Sequence, residues 1–178
     1  MKTVILTLFT LLYAAVPSSW VKSNGPGEVT YRIHSIFIWN FIKEIQWPAN
    51  AGSGEFTIGL LANADMETEL SKILTSTRTT TSRKITLKVY RSIAEVNKNC
   101  HILYLDAENS DNLSTALQKV KGAPVLVITH KDGAARFGSL INFVTENGKP
   151  RFEMNLSAFE KNGLKYTQTL KAASIPLN

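Results

Sequence analysis

Apolar residues recur at helical spacing through 29–47, VTYRIHSIFIWNFIKEIQW. Ile33, Phe37, Phe41 and Ile45 form an i, i+4 row. Val29, Ile36 and Trp47 flank it on one side, and Ile38 and Ile42 on the other, so the apolar arc is wider than the stripe of an ordinary surface helix. The polar strip is thin: Arg32, Ser35, Lys43 and Gln46, with Trp39 among them. The pattern predicts a helix that must be covered by a sheet or by a second chain. Each large side chain it buries contributes roughly 1.5–3 kcal/mol. Pro48 stops it, because proline disfavours the helical conformation at Trp47 and has no N–H to donate.

Beyond Pro48 the pattern alternates between two periods. Residues 56–62 (FTIGLLA) form an apolar run of strand length, and Asn63 and Asp65 supply caps for a helix with Met66, Leu70, Ile73 and Leu74 on one face. Residues 75–82, rich in Thr and Ser with Arg78 inside, read as an exposed loop. Ile85, Leu87 and Val89 alternate with polar neighbours, as in a half-exposed strand. Ser92 and Glu95 have capping-box spacing for a short helix. Residues 100–105 (CHILYL) and 124–129 (PVLVIT) read as core strands, separated by a helix over 111–120 that Gly122 and Pro124 end.

Strands apolar on both faces, alternating with helices, predict a parallel sheet covered on each side. The C-terminal part differs. Residues 139–145 and 151–155 read as two strands joined through Asn147-Gly148, a strong hairpin signal. Residues 156–162 and 164–173 read as closing helices split at Gly163. The predicted fold is a single α/β domain over 28–178: a mixed, mostly parallel sheet flanked by helices on both faces, with a C-terminal antiparallel hairpin.

Composition narrows the class. The chain has 178 residues, 44% hydrophobic and 19% charged, which suits one domain with a real core and excludes a disordered chain. After Met1-Lys2, residues 4–16 are apolar and uncharged, and Pro17-Ser18-Ser19 follows. We read 1–19 as a cleaved signal peptide; the run is too short to cross a bilayer, and an N-terminal anchor is the other reading. The mature protein is then expected to be exported, soluble and not itself membrane-spanning. The net charge of +6 comes from Lys and Arg that are scattered apart from Arg83, Lys84, Lys88 and Arg91, and there is no nucleic-acid-binding motif, so no nucleic-acid partner is expected. The single cysteine, Cys100, is either buried and inert or bonded to another chain, and its place at the head of a core strand favours burial.

No catalytic signature stands among the motifs of the sequence. There is no G-x-S-x-G elbow, the nearest approach being Gly138-Ser139, and no P-loop or dinucleotide fingerprint. His34, His101 and His130 lie far apart, with no further ligand at metal-site spacing, so neither metal nor cofactor is expected. Asn40 and Glu44, i, i+4 neighbours inside the apolar arc, form either a satisfied core network or, with His34, the polar floor of a ligand pocket. Trp39 on the polar strip is a candidate partner anchor or a cover for the core edge, and Arg78 marks a second candidate partner surface.

Taken together, Asn40-Phe41-Ile42-Lys43 running to Trp47-Pro48, the strands FTIGLL, CHILYL and PVLVIT, then GSLINFV and RFEMNL with Gly163-Leu164-Lys165 after it, resemble the YfiR family of periplasmic proteins over residues 29–173. The resemblance implies a periplasmic, non-enzymatic regulatory domain that forms a homodimer. It implies restraint of a membrane-bound diguanylate cyclase through that enzyme's periplasmic domain, countered by an outer-membrane lipoprotein. Asn40, Lys43, Trp47, Pro48, Ile141, Asn142, Phe143, Phe152 and Asn155 match the family pattern, most of them as fold determinants. Asn155 fits an N-cap for the helix beginning at Leu156. The cysteine pairs common in that family are missing here, which excludes an intramolecular disulfide switch. A periplasmic small-ligand module that presents a solute to a sensor kinase or transporter is the alternative, and an unrecognised hydrolase a third reading.

Overall fold

In the computed structural model, residues 26–49, 51, 54–76 and 83–177 are described. The predicted leader, 1–19, and Arg78 lie outside them. Helix α1 (Pro26–Glu44) leads into a two-residue strand β1 (Ile45–Gln46). Then come β2 (Phe56–Leu61), α2 (Ala64–Ser76), β3 (Ile85–Val89), β4 (Ile102–Leu105), α3 (Leu113–Lys119) and β5 (Leu126–Thr129). The hairpin β6 (Ile141–Glu146) and β7 (Lys149–Asn155) is followed by α4 (Leu156–Lys161), β8 (Lys165–Tyr166), α5 (Gln168–Ala173) and β9 (Ile175–Leu177).

Seven of these strands form one sheet in the order β3-β2-β4-β5-β6-β7-β9, parallel except for the β6–β7 hairpin. The chain steps outward from β2 to β3, then returns to place β4 on the other side of β2. Right-handed crossovers in opposite directions put α2 and α3 on opposite faces. The core strands follow from their residues: β4 (ILYL) and β5 (LVIT) are buried at every position, as a strand covered on both sides requires. β3, at the sheet edge, carries the alternating and more exposed sequence. Asn147 and Gly148 both take positive φ, 52° and 73°, the geometry of a two-residue type I′ turn.

Helix α1 lies across the sheet, with its first turns at the C-terminal edge of the parallel strands and its last turn at their N-terminal edge. Tyr31 meets Asn63 after β2, whereas Trp47 packs edge-on against Phe56 at the start of β2. Phe37 and Phe41 pack on Phe143 and Phe152 of the hairpin.

The structure corrects several expectations about these elements. The helix ends at Glu44, three residues early, because Ile45 and Gln46 pair with Tyr166 and Lys165. Thr167 N donates to the Glu44 carbonyl at 3.1 Å and satisfies an acceptor that further helix would have used. The second closing helix starts at Gln168, since 165–166 form strand β8. The terminal strand β9 has no counterpart in the sequence reading. Ser92 makes no side-chain cap; Glu95 alone reaches back, accepting from Arg91 N at 3.0 Å, and the segment 93–95 is a single 3-10 turn.

Candidate functional site

In an open α/β sheet the crevice for a ligand lies at the C-terminal ends of the strands, where the winding direction reverses. Here that point falls between β2 and β4. Polar residues follow each strand of the region: Asn63 after β2, Asp106 after β4 and His130 after β5. Asp106 is fully buried and saturated. Its Oδ2 accepts from Asn63 N at 2.9 Å, and its Oδ1 from Asn109 N at 3.0 Å and Asn109 Nδ2 at 2.8 Å. Asn63 is an N-cap for α2, accepting from Met66 N at 3.2 Å, and its amide donates to the Tyr31 hydroxyl at 2.8 Å. Ser110 bridges to the next strand, donating to the Asp106 carbonyl and accepting from His130 N.

His34, on the third turn of α1, sits beside this point. Its ring stacks on Phe143 at 3.9 Å, its Nδ1 pairs with the Tyr104 hydroxyl at 3.0 Å, and His130 approaches edge-on at 4.7 Å. Burial, with a smaller contribution from His130, pushes the His34 pKa down to about 3, so the ring is neutral at physiological pH. Burial also lowers His130, against the pull of Asp106 and Asp132, and holds the Tyr104 hydroxyl protonated far above its usual range. Among the described residues no three His, Cys, Asp or Glu side chains gather as a metal site. Helix α1 thus lies over the strand ends at this point, with Tyr31 half-buried against Asn63 and His34 buried against Tyr104 and His130.

The predicted site residues separate. His34 and His130, 96 apart in sequence, are brought together, which their spacing gave no reason to expect. Glu44 is ten residues, about 15 Å, further along α1 and cannot share a pocket with His34. It accepts from the Thr167 hydroxyl at 2.5 Å, and Asn40 is half-buried one turn before it. The pair thus lies on the margin of the buried arc, which is centred on Ile38 and not on the Phe37–Phe41 row. The same rotation buries Trp39 and Ser35, expected on the polar strip, and exposes Ile36. Its cause is α2, whose Met66 Sδ lies 3.9 Å from Ser35 Oγ; Trp39 is one turn further on the same face. Trp39 is 8% exposed, with Lys43 Nζ 5.6 Å from its ring centre, so in this structure it offers little surface to a partner.

Most residues of the family pattern hold the sheet. Asn142 is fully buried and joins three strands: its Oδ1 accepts from Thr129 Oγ1 and Lys131 N, and its Nδ2 donates to Glu153. Ile141, Phe143 and Phe152 belong to the core. Trp47 Nε1 donates to the His101 carbonyl at 3.2 Å, and the Pro48 carbonyl accepts from Ala51 N. Asn155 caps α4 through Ala158 N at 2.8 Å, as its sequence position predicts. The sequence reading missed Tyr31, Tyr104, Asp106 and the role of His130. A signal was present: a polar residue stands within two places of the C-terminal end of three successive core strands.

These features define a doubly wound α/β domain whose C-terminal crevice is closed by its own first helix. The chain matches the YfiR/HmsC-like family over residues 31–173 and belongs to that family. No curated protein matches it. Among solved structures, a conserved domain protein from Vibrio cholerae O1 biovar El Tor is similar at TM-score 0.51 and 12% identity, covering 83% of this chain and 60% of that one. An ABC domain from Streptococcus pneumoniae, solved in complex with L-Trp, is similar at TM-score 0.51 and 10% identity, covering 69% of this chain and 55% of its own. The protein thus spans less than two thirds of either structure, and the likeness is one of fold. No helix among the described residues is long and apolar enough to cross a membrane.

Proposed function

We propose that this protein is a non-catalytic regulator, exported to the periplasm, that binds and restrains the periplasmic domain of a membrane signalling protein of the diguanylate cyclase type. Family membership supports the regulatory reading. The observation that carries it is the closed crevice. Asn63 bonds to both Asp106 and Tyr31, and His34 pairs with Tyr104, so helix α1 covers the customary ligand position of the fold with contacts of its own. Such a domain acts through its surface. A signal peptide over 1–19, a homodimer and release by an outer-membrane lipoprotein complete the proposal.

The test is co-purification of the mature protein with the periplasmic domains of the membrane signalling proteins of its host. Cyclic-di-GMP is measured in cells with and without the gene. A stoichiometric complex, and a rise in cyclic-di-GMP on deletion, are expected. No complex with any of them, together with a melting temperature raised by one member of a metabolite panel, would replace this reading with that of a solute-presenting module.

A further inference from the structure

Phe137 is 79% exposed, far more than the next large apolar side chain among the described residues, Ile36 at 42%. It is not on a loose loop. It ends a 3-10 turn, Ala134–Phe137, bounded by Gly133 at φ +76° and Gly138 at φ +106°, backbone positions that a side chain would strain. Ala134 and Ala135 are buried beneath the turn. The Ala135 carbonyl accepts from Asn155 Nδ2 at 2.7 Å, while Oδ1 of the same side chain caps α4. One asparagine thereby ties the turn that presents Phe137 to the helix that carries Lys161.

Between them lies a groove of about 400 Å³ lined by Arg136, Phe137, Ser157, Lys161 and Asn162 among others. Its lining includes two cations and no carboxylate. Arg136 and Lys161 are both exposed, and neither belongs to an ion pair among the described residues. Phenylalanine and arginine are both enriched at protein interfaces. Because the turn is already ordered, docking on it loses little conformational entropy.

We propose that this surface docks an acidic segment of a partner protein, with carboxylates on Arg136 and Lys161 and an apolar side chain against Phe137. The charge of the groove selects this occupant, and the net positive charge of the chain steers it inward. The inference deepens the binding role proposed above and rests on it.

The probe is a short fluorescein-labelled peptide of Glu and Asp around a central Leu-Leu, followed by anisotropy, beside its Lys/Arg counterpart. The acidic peptide binds the wild type and the basic one does not. Phe137→Ala, and the pair Arg136→Glu with Lys161→Glu, each weaken binding by roughly tenfold or more. A control with the same charge change at exposed Lys98 and Lys121 retains it. The altered side chains are solvent-exposed, and unchanged circular dichroism melts verify the fold. Equal weakening in the control, equal binding of the basic peptide or no binding of the acidic one overturns the proposal. So does self-association in sedimentation that Phe137→Ala abolishes, which would make the occupant a second copy. A complex with a membrane sensor domain that survives Phe137→Ala would keep the regulatory role and remove only this surface from it.

Discussion

His34 Nδ1 lies 3.0 Å from the Tyr104 hydroxyl, and this pair fastens the first helix over the C-terminal edge of the sheet. Both side chains are buried, so leaving either polar group without the other would cost free energy. The pair also makes the fold sensitive to acid.

The unfolded chain takes up a proton on His34 near its ordinary pKa of 6.5, whereas the folded chain refuses it until about pH 3. The unfolded state therefore binds more protons throughout that window, and stability falls as pH drops through it. One proton is worth up to about 1.4 kcal/mol per pH unit, and the lowered pKa values of His130 and His101 act in the same direction. Urea midpoints are expected to fall steadily from neutral pH towards about pH 4, and His34→Gln should flatten that slope. An identical slope in the variant would mean that His34 is not the group responsible.

Tyr104→Phe removes the hydroxyl and leaves His34 Nδ1 buried without its partner. A loss of about 1–3 kcal/mol at neutral pH is expected from denaturant unfolding, with the slope of the transition unchanged. A neutral effect would imply that water reaches the ring.

Asn155→Ala loses the cap on Ala158 N and the bond to the Ala135 carbonyl together. The cap alone is worth about 1 kcal/mol, so the alanine variant should be destabilised by more than that. Asn155→Asp keeps the cap and loses only the donor, and should fall between the two in a thermal melt.

Gly59 stands in the middle of β2 at an ordinary backbone conformation, and its role is one of space. A Cβ there would lie 2.7 Å from Tyr90 Cε2. Gly59→Ala should cost about 1–3 kcal/mol by overpacking. Adding Tyr90→Leu should return part of it, measured as a double-mutant cycle.

Cys100 is 7% exposed, and burial pushes its thiol up to about 11. Thiol reagents are expected to modify it at the rate of unfolding and not before. A rapid reaction in native buffer would place the sulfur at the surface and reopen a bond to another chain.

Much of the architecture is legible in local pattern. FTIGLLA, CHILYL and PVLVIT announce strands covered on both sides, Asn147-Gly148 announces the hairpin, and Asn155 announces the start of α4. Their order also implies a parallel beginning and an antiparallel end. The small pairings are not legible, because β1, β8 and β9 are two or three residues long and exist only where a distant segment supplies hydrogen-bond partners.

The site was less accessible still. A helical wheel gives the width of the apolar arc of α1 but not which neighbour covers it. Once α2 lies against Ser35, Trp39 is buried and Ile36 is left in water. Likewise nothing local joins His34 to His130 or Tyr31 to Asn63, since those contacts arise when α1 is laid over the strand ends. Periodicity, turn chemistry and capping act within a few residues, so the chain by itself determined its longer elements and its family. Which polar groups meet, and which crevice is closed, depends on contacts between residues far apart in sequence, and only the packed molecule decides them.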